Sequence, residues 1–328
     1  MPLQGGDMKS NAVKNFFVEQ KILVLILVIC IGMILKTPDF LGFENIVNIF
    51  MKISIEGIMV IGMTYLIILR EIDLSIGETM ALSCVFSVIF QSYGVVPGVL
   101  AGVLIGALIG LINGFIVVKL KVASIAATLG MMVLLNGIVY VITKSRAAAG
   151  GNYSISGTNE NFQRIAETTF FHVPAVILVL IVLMIIFDVV LKKTVYGRNV
   201  YACGGNPVAS RYANIPVDSI RMIAFTITGT LAGLSGVMIV SRYNIASGAL
   251  GQPIPLFVIT AVILGGVSLA GGEGSVFKAF QGLLLVGVLE NALLDLRVFT
   301  SIKFVVMGLL LIMMLVVDSI YTRKAQFM

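Results

Sequence analysis

Residues 98–118 read GVLAGVLIGALIGLINGFIVV. No charge interrupts this run, and at 1.5 Å per residue it spans the roughly 30 Å hydrocarbon core of a bilayer as a helix. Glycine recurs every fourth residue at Gly98, Gly102, Gly106, Gly110 and Gly114, with Gly94 continuing the series before Pro97. Small residues at that spacing let a second helix approach backbone to backbone. Each step of four overshoots a helical turn by about 40°, so the stripe winds around the helix and serves more than one neighbour. The spacing suits tight static packing first, and a helix that moves during transport second. A second set, Gly229, Gly233 and Gly236 beside Thr226, Thr228 and Thr230, repeats the theme.

The rest of the chain agrees with this run. Of 328 residues, 59% are hydrophobic and 12% are charged, too few to wet the surface of a soluble domain. A soluble enzyme, a disordered chain and a nucleic-acid-binding domain are excluded. Continuous rather than alternating apolar runs argue against a β-barrel. Ten such runs occur, near 22–35, 46–69, 77–92, 98–118, 123–143, 173–191, 222–240, 254–270, 276–292 and 303–317. The expected fold is therefore an all-α integral membrane protein with about ten transmembrane helices and an internal repeat. The first run lacks a cleavage site and reads as a retained span. Ten spans place both termini on one side. Setting that side in the cytoplasm puts 14 lysines and arginines inside and 8 outside, as the positive-inside tendency requires. The chain is read as one domain: a first half of about 20–143, an external loop at 144–172, and a second half of about 173–318 with a cytoplasmic loop at 192–221.

Composition restricts the chemistry. Cys30, Cys84 and Cys203 are far apart and form no CxxC pair, and His172 is the only histidine, so neither a metal cluster nor a histidine relay is expected. His172 reads as an interfacial residue. No G-x-x-x-x-G-K-[ST] phosphate loop occurs, so any ATP that drives this chain binds elsewhere.

Two breaks in the apolar pattern echo each other. Ile72-Asp73-Leu74-Ser75-Ile76-Gly77-Glu78 aligns with Val267-Ser268-Leu269-Ala270-Gly271-Gly272-Glu273 at an offset of 195 residues. Leucine, glycine and glutamate coincide, as in transporters built from duplicated halves. Ser75 and Glu78 have capping-box spacing and are expected to cap each other at a helix starting near Ile76, with Asp73 favouring the positive helix end. The stretch from Leu264 to Ser275 is rich in glycine, which at membrane depth is tolerated only inside protein or along a water-filled path. Asp73, Ser75, Ser268 and Gly271 are accordingly candidates to line a pathway.

Charges inside the runs are few. Glu56 lies within the second, where a carboxylate is costly and is a functional candidate by default. Lys52, four residues earlier on the same face, is its expected ion-pair partner. Asp188 is expected to pair with Lys192. Glu290 and Asn291 belong to the outer end of the ninth run. Asn113, Asn136 and Tyr140 are the uncharged polar candidates for a path that a neutral solute would take.

Residues 192–221, KKTVYGRNVYACGGNPVASRYANIPVDSIR, form the most basic loop. Gly204-Gly205 suggests a flexible turn. Asn206 suits an N-cap and Pro207 the first helical position. A short helix over Val208–Ala213 would end at Asn214 in the left-handed conformation, before Pro216. Arg211 and Tyr212 would lie on it, available for docking.

This loop resembles the coupling-loop signature of permease subunits of ATP-binding-cassette importers for ribose, xylose and related monosaccharides. The shared residues are Thr194, Gly197, Arg198, Ala202, Gly204, Gly205, Asn206 and Ala209, with Asn214 where the family usually has glycine. The I-D-L-S-I-G run after Gly62-Met63-Thr64 is similar to the family's G-G-I-D-L-S-V-G, although Arg70-Glu71 replaces the usual small residues. Ala261-Val262-Ile263-Leu264-Gly265-Gly266 with Ser268-Leu269 and Gly271-Gly272 resembles a third motif, without the aspartate often found before it. The resemblance runs from about residue 40 to 317. It implies a non-catalytic permease that moves a monosaccharide by alternating access in a bacterial-type cytoplasmic (inner) membrane. It implies a second permease subunit, usually a copy of the same chain, cytoplasmic ATP-binding subunits that hold ATP and Mg, and a soluble extracytoplasmic sugar-binding protein. Arg198, Gly204, Gly205, Asn206, Pro207, Ala209, Arg211 and Tyr212 would couple to the ATPase. An ion-gradient-driven secondary transporter is the alternative, disfavoured by the scarcity of paired central carboxylates. A membrane-embedded enzyme finds no catalytic group set.

Overall fold

The computed structural model describes residues 21–146, 153–170, 173–252 and 254–326. The chain ends, His172 and the glycines at 150 and 151 lie outside the described residues. Among the described residues, thirteen α-helices make up most of the fold. These are α1 (Lys21–Ile34), α2 (Phe43–Ile68), α3 (Ile76–Phe90), α4 (Val95–Val118), α5 (Ser124–Arg146), α6 (Glu160–Glu167) and α7 (Ala175–Lys193). They continue with α8 (Val195–Gly205), α9 (Pro207–Tyr212), α10 (Val217–Tyr243), α11 (Ile254–Leu264), α12 (Val276–Asp295) and α13 (Thr300–Gln326). Six of them, α2, α4, α5, α7, α10 and α12, are long and apolar enough to cross a membrane.

The remaining four apolar runs of the sequence also fold as helices, but two are cut short. The run at 77–92 becomes the 15-residue α3, about 22 Å long, and the run at 254–270 stops at Leu264 after 11 residues, about 17 Å. Neither matches the hydrocarbon thickness. Both are buried in protein, where irregular flanking backbone is sheltered from lipid. α3 is covered along its whole length except at Phe86, Ile89 and Phe90.

α10 is the centre of the bundle, packed on α2, α3 and α4. α4 and α10 run antiparallel, and their glycine stripes face each other. A Cβ on Gly106 would lie 2.7 Å from Gly233 Cα, and one on Gly229 would lie 2.7 Å from Gly110 Cα. No side chain fits between such backbones, so the dispersion contact is made by the backbones themselves. The stripe does wind. Gly98 meets Phe162 of α6 and Gln91, Gly102 meets Ser87 and Val237, and Gly114 meets Met222. α10 repeats the device against α2, where Gly62 touches Thr228, and against α3, where Gly236 touches Ser83.

Contacts sort the connections to two opposite ends. At one end, residues 153–170 carry β1 (Ser154–Ser156), which pairs antiparallel with β4 (Ile245–Ser247) just beyond α10. There Asn159 donates to the Gln91 carbonyl at 3.0 Å and Asn244 to the Gly157 carbonyl at 3.0 Å. Beside them β2 (Thr169–Phe170) pairs with β3 (Val173–Pro174). The loop expected at 144–172 thus holds α6 and short strands, with Phe162 fully buried. At the other end lie residues 69–75, 119–123, 194–216 and 265–275, linked by Gly272 N–H to Ile68 O at 2.9 Å and Ile72 N–H to Ser124 Oγ at 3.4 Å.

α2 and α11 both terminate at this second end, and in the same way. Arg70 N–H donates to Ile67 O and Glu71 N–H to Leu66 O; Gly266 N–H donates to Ile263 O and Val267 N–H to Val262 O. Arg70 (φ 62°) and Gly266 (φ 87°) are the left-handed residues of the two ends. The structural offset is 196 at these helix ends, one more than the sequence motif suggests, and the two elements run in parallel. Cβ strain makes the left-handed form costly for Arg70 and nearly free for Gly266.

Replacing Gly106 or Gly229 by leucine is expected to destabilise the chain by about 3 kcal/mol, since two backbones must separate. Gly130→Ala, where a Cβ meets nothing within 4 Å, should leave stability equal or slightly raised. Unfolding of the detergent-solubilised chain would read both.

Candidate functional site

Three segments meet at the second end of the bundle: the end of α2, the end of α8, and the glycine-rich stretch after α11. Gly204 is pressed against the Ile68 carbonyl and the Gly272 amide. Any side chain there would displace backbone, and the same holds at Gly271, which touches Arg70 and the Gly204 carbonyl. Gly271 (φ 79°) and Gly272 (φ 78°) take left-handed conformations that permit this approach. Arg70 Nη2 donates to the Gly205 carbonyl at 2.6 Å, satisfying a group at the end of α8 that has no partner within its helix. Tyr201 Oη donates to the Gly274 carbonyl at 2.7 Å.

Gly204-Gly205 is therefore the last turn of a helix and not the flexible turn expected from sequence. Close packing against backbone holds it helical. α8 itself begins at Thr194, whose Oγ1 accepts from Gly197 N–H at 3.2 Å. That N-cap after Lys192-Lys193 is the signal from which α8 is legible. The α9 expectation holds in its details. Asn206 accepts from Val208 N–H at 3.1 Å and Ala209 N–H at 2.9 Å, Pro207 opens the helix, and Asn214 is left-handed at φ 58°. Ser210 faces inward to Cys203, while Val208, Ala209 and Tyr212 face outward, Tyr212 at 90% exposure. Arg211 pairs with Asp218 at 2.9 Å on the surface, an interaction worth little by itself. Arg198 is exposed, its guanidinium 3.4 Å from the Lys193 carbonyl.

Beside this junction, Glu71 forms an ion pair with Arg221 at the start of α10. Burial pushes the Glu71 carboxyl above its ordinary range, opposed by a Ser124 hydrogen bond and the Arg221 charge. A cavity of about 660 Å³ opens here between Arg70, Glu71, Lys121, Arg211, Asp218 and Arg221.

The polar residues expected to line a pathway separate into three places. Asp73, Ser75 and Asn113 come together in a buried network. Asp73 Oδ1 accepts from Ser75 N–H at 2.9 Å and Ser75 Oγ at 2.6 Å. Asn113 Nδ2 donates to Ser75 Oγ at 2.8 Å and Asp73 Oδ2 at 3.3 Å. The Ser75–Glu78 capping box does not form. Asp73 is the stronger acceptor and takes Ser75, while Glu78 accepts from Asn136 of α5 at 3.1 Å. Thr128 Oγ1 completes the loop by accepting from Leu74 N–H at 3.1 Å. Ser268 and Gly271 belong to the junction; Ser268 Oγ accepts from Ala270 N–H at 3.2 Å in a tight turn. Glu56 stands apart, midway along α2. Its expected pair with Lys52 is not made, because Lys52 Nζ instead meets Glu290 of α12 at 2.5 Å. Asp188 does pair with Lys192, at 2.8 Å. Tyr140 stacks edge-on against Tyr153. Arg70, Glu71, Ser124, Thr128 and Tyr201 are contributors that sequence reasoning passed over. The adjacent opposite charges of Arg70-Glu71 between apolar stretches were the available signal.

The fold thus sets six helices long and apolar enough to cross a membrane around a short helix pair on which two like helix ends close. Residues 45–315 match the family described as "Branched-chain amino acid transport system / permease component", and the chain belongs to it. It is 34% identical over 317 residues to the ribose import permease protein RbsC of Haemophilus influenzae (94% of this chain, 96% of that protein). It is 33% identical over 324 residues to the L-arabinose transport system permease protein AraH of Escherichia coli strain K12 (98% and 96%). The L-arabinose ABC transporter permease protein AraH of Azospirillum brasilense is 31% identical over 305 residues (92% and 88%). No solved structure matches the chain. The chain is the non-catalytic permease subunit of an ATP-binding-cassette importer, and nucleotide is bound by a separate ATPase.

Asp73→Ala leaves Ser75 and Asn113 without their acceptor and is expected to cost about 1–3 kcal/mol. Asp73→Asn keeps an oxygen for Ser75 and should cost less, as judged by thermal unfolding of the two variants in detergent.

Proposed function

We propose that this chain imports a monosaccharide across a bacterial cytoplasmic membrane, working with a second permease that is a copy of itself. The ribose and L-arabinose named in its relatives support the substrate class. The duplicated helix ends support a single domain of two halves, about 20–143 and 173–318. All ten apolar runs cross in alternation, α3 and α11 being the short crossings, and both termini lie in the cytoplasm. Under this arrangement the basic loop containing α8 and α9 is cytoplasmic, and the end carrying β1, β4 and α6 meets a soluble sugar-binding protein.

The observation that carries the coupling assignment is the contact of the α8 end with Ile68, Arg70, Gly271 and Gly272. α9 offers Val208, Ala209 and Tyr212 outward beside the charged cleft, where an ATPase docks. Closure of the ATPase pair on ATP displaces α9. The Asn206 cap passes that displacement to Gly204-Gly205, which bear directly on the ends of α2 and on the loop after α11. Backbone-to-backbone contact leaves no compliant side chain to absorb the movement. The two repeats shift together, and the path switches sides. In this scheme Arg198, Pro207 and Arg211 hold the docking element, and Asp73, Ser75, Asn113, Asn136 and Ser268 flank the moving breaks.

The double variant Ala209→Asp, Tyr212→Asp is expected to abolish co-purification of the ATPase and to lower sugar uptake at least tenfold, with the permease still present in the membrane. Retained ATPase binding and uptake would remove α9 from the coupling role.

A further inference from the structure

A cavity of about 570 Å³ lies between the middle of α2, the turn before α11, α11 itself and α13. Its volume is that of an ordinary small-molecule site. Its lining combines Glu56, Lys303, Gln252 and Thr260 with the rings of Phe257 and Phe304. Glu56 Oε2 is buried and has no hydrogen-bond partner. Lys303 is 8% exposed, and its side chain makes no hydrogen bond or ion pair among the described residues. The nearest opposite charges do not resolve this, because Lys52 and Glu290 are committed to each other. A buried carboxylate and a buried ammonium that stay unpaired cost several kcal/mol unless a ligand or water supplies partners.

We infer that this cavity is the intramembrane binding site for the transported solute, a polyhydroxylated molecule of monosaccharide size; this rests on the monosaccharide reading above. Glu56 accepts hydrogen bonds from sugar hydroxyls, and Lys303 donates to hydroxyl or ring oxygens. Thr260 spends its proton on the Leu256 carbonyl at 2.6 Å, which leaves its oxygen free to accept. Phe257 and Phe304 present flat apolar faces to the C–H side of the ring. An apolar chamber with a few convergent polar groups fixes orientation. Glu290 also lines the chamber, and with its partner Lys52 the wall carries two charges of each sign. The placement is mechanical as well as chemical. Glu56 sits twelve residues, about 18 Å, above Ile68 on the same helix, so movement at the coupling junction reaches the site along a rigid rod.

The test uses the complete importer, with its own ATPase and binding protein, in cells lacking other pentose uptake, supplied with radiolabelled D-ribose or L-arabinose. Glu56→Gln and Lys303→Met are each expected to lower uptake at least tenfold at equal membrane abundance, with the ATPase still co-purifying. In Thr260→Cys, modification by an impermeant methanethiosulfonate, corrected for labelling of the wild type, is expected to slow at least fivefold when the transported sugar is present. The labelling arm decides the matter should either charge variant fail to reach the membrane. Wild-type uptake with undiminished uptake in both charge variants, or with no protection of the introduced thiol, overturns the cavity assignment and leaves the substrate reading standing. Uptake of neither sugar by the wild type overturns the substrate reading and this inference together.

Discussion

A single hydrogen bond, from Gly272 N–H to the Ile68 carbonyl, joins the end of α2 to the loop after α11. Ile68 is the last residue of α2, so its carbonyl has no partner within the helix, and Gly272 lies in irregular backbone beyond Leu264. Each would be a costly orphan in the bilayer if the other were absent. A third backbone, that of Gly204, closes over the pair, and the Gly204 carbonyl in turn touches Gly271.

The glycine stripes of α4 and α10 serve the same end at a distance. Lipid tails are as apolar as leucine, so burial of apolar surface does little to hold helices together inside a membrane. What remains is contact area, and backbone approach maximises it. α10, pinned this way to α4 and by Gly62 to α2, sets the lateral position of the junction while Arg221 at its start holds Glu71. Close backbone packing at the centre and irregular backbone at one end divide the molecule into a scaffold and the part that the proposed coupling would displace.

The portions legible in the sequence were those decided within a few residues. The apolar runs located every long helix, and Asn206, Pro207 and Asn214 delimited α9 by rules that involve only the adjacent backbone. Errors arose wherever a distant partner competed with a local one. Ser75 and Glu78 have capping-box spacing, but Asp73 and Asn113 claim the serine and Asn136 claims the glutamate. Lys52 is one turn from Glu56, yet Glu290 on α12 holds it. Gly204-Gly205 reads as a turn because glycine is a poor helix former; only the neighbouring Ile68 and Gly272 explain why glycine is required and why it is helical. In each case the missing information was the tertiary neighbour, which no spacing rule supplies. The cavity beside Glu56 was half visible, since a lone intramembrane carboxylate is a signal, but no local pattern places Lys303, at the start of the last run, on the same cavity wall.

Charge placement along α2 ties these parts together. The helix carries Lys52 and Glu56 in its middle and ends at Ile68, Leu69 and Arg70. Lys52 clamps it to α12 through Glu290, and Arg70 clamps it to α8 through the Gly205 carbonyl. Glu56 lies between the two contacts on one continuous helix. Arg70 also adopts a backbone conformation that glycine, the residue at the like position after α11, would adopt with almost no strain. The hydrogen bond of its guanidinium to the Gly205 carbonyl offsets that strain. In the coupling scheme proposed above, α2 is reached through a side-chain clamp and the loop after α11 through bare backbone at Gly271 and Gly272. That asymmetry between two helix ends of like backbone makes α2, with its carboxylate, the element through which the proposed coupling addresses the proposed cavity site.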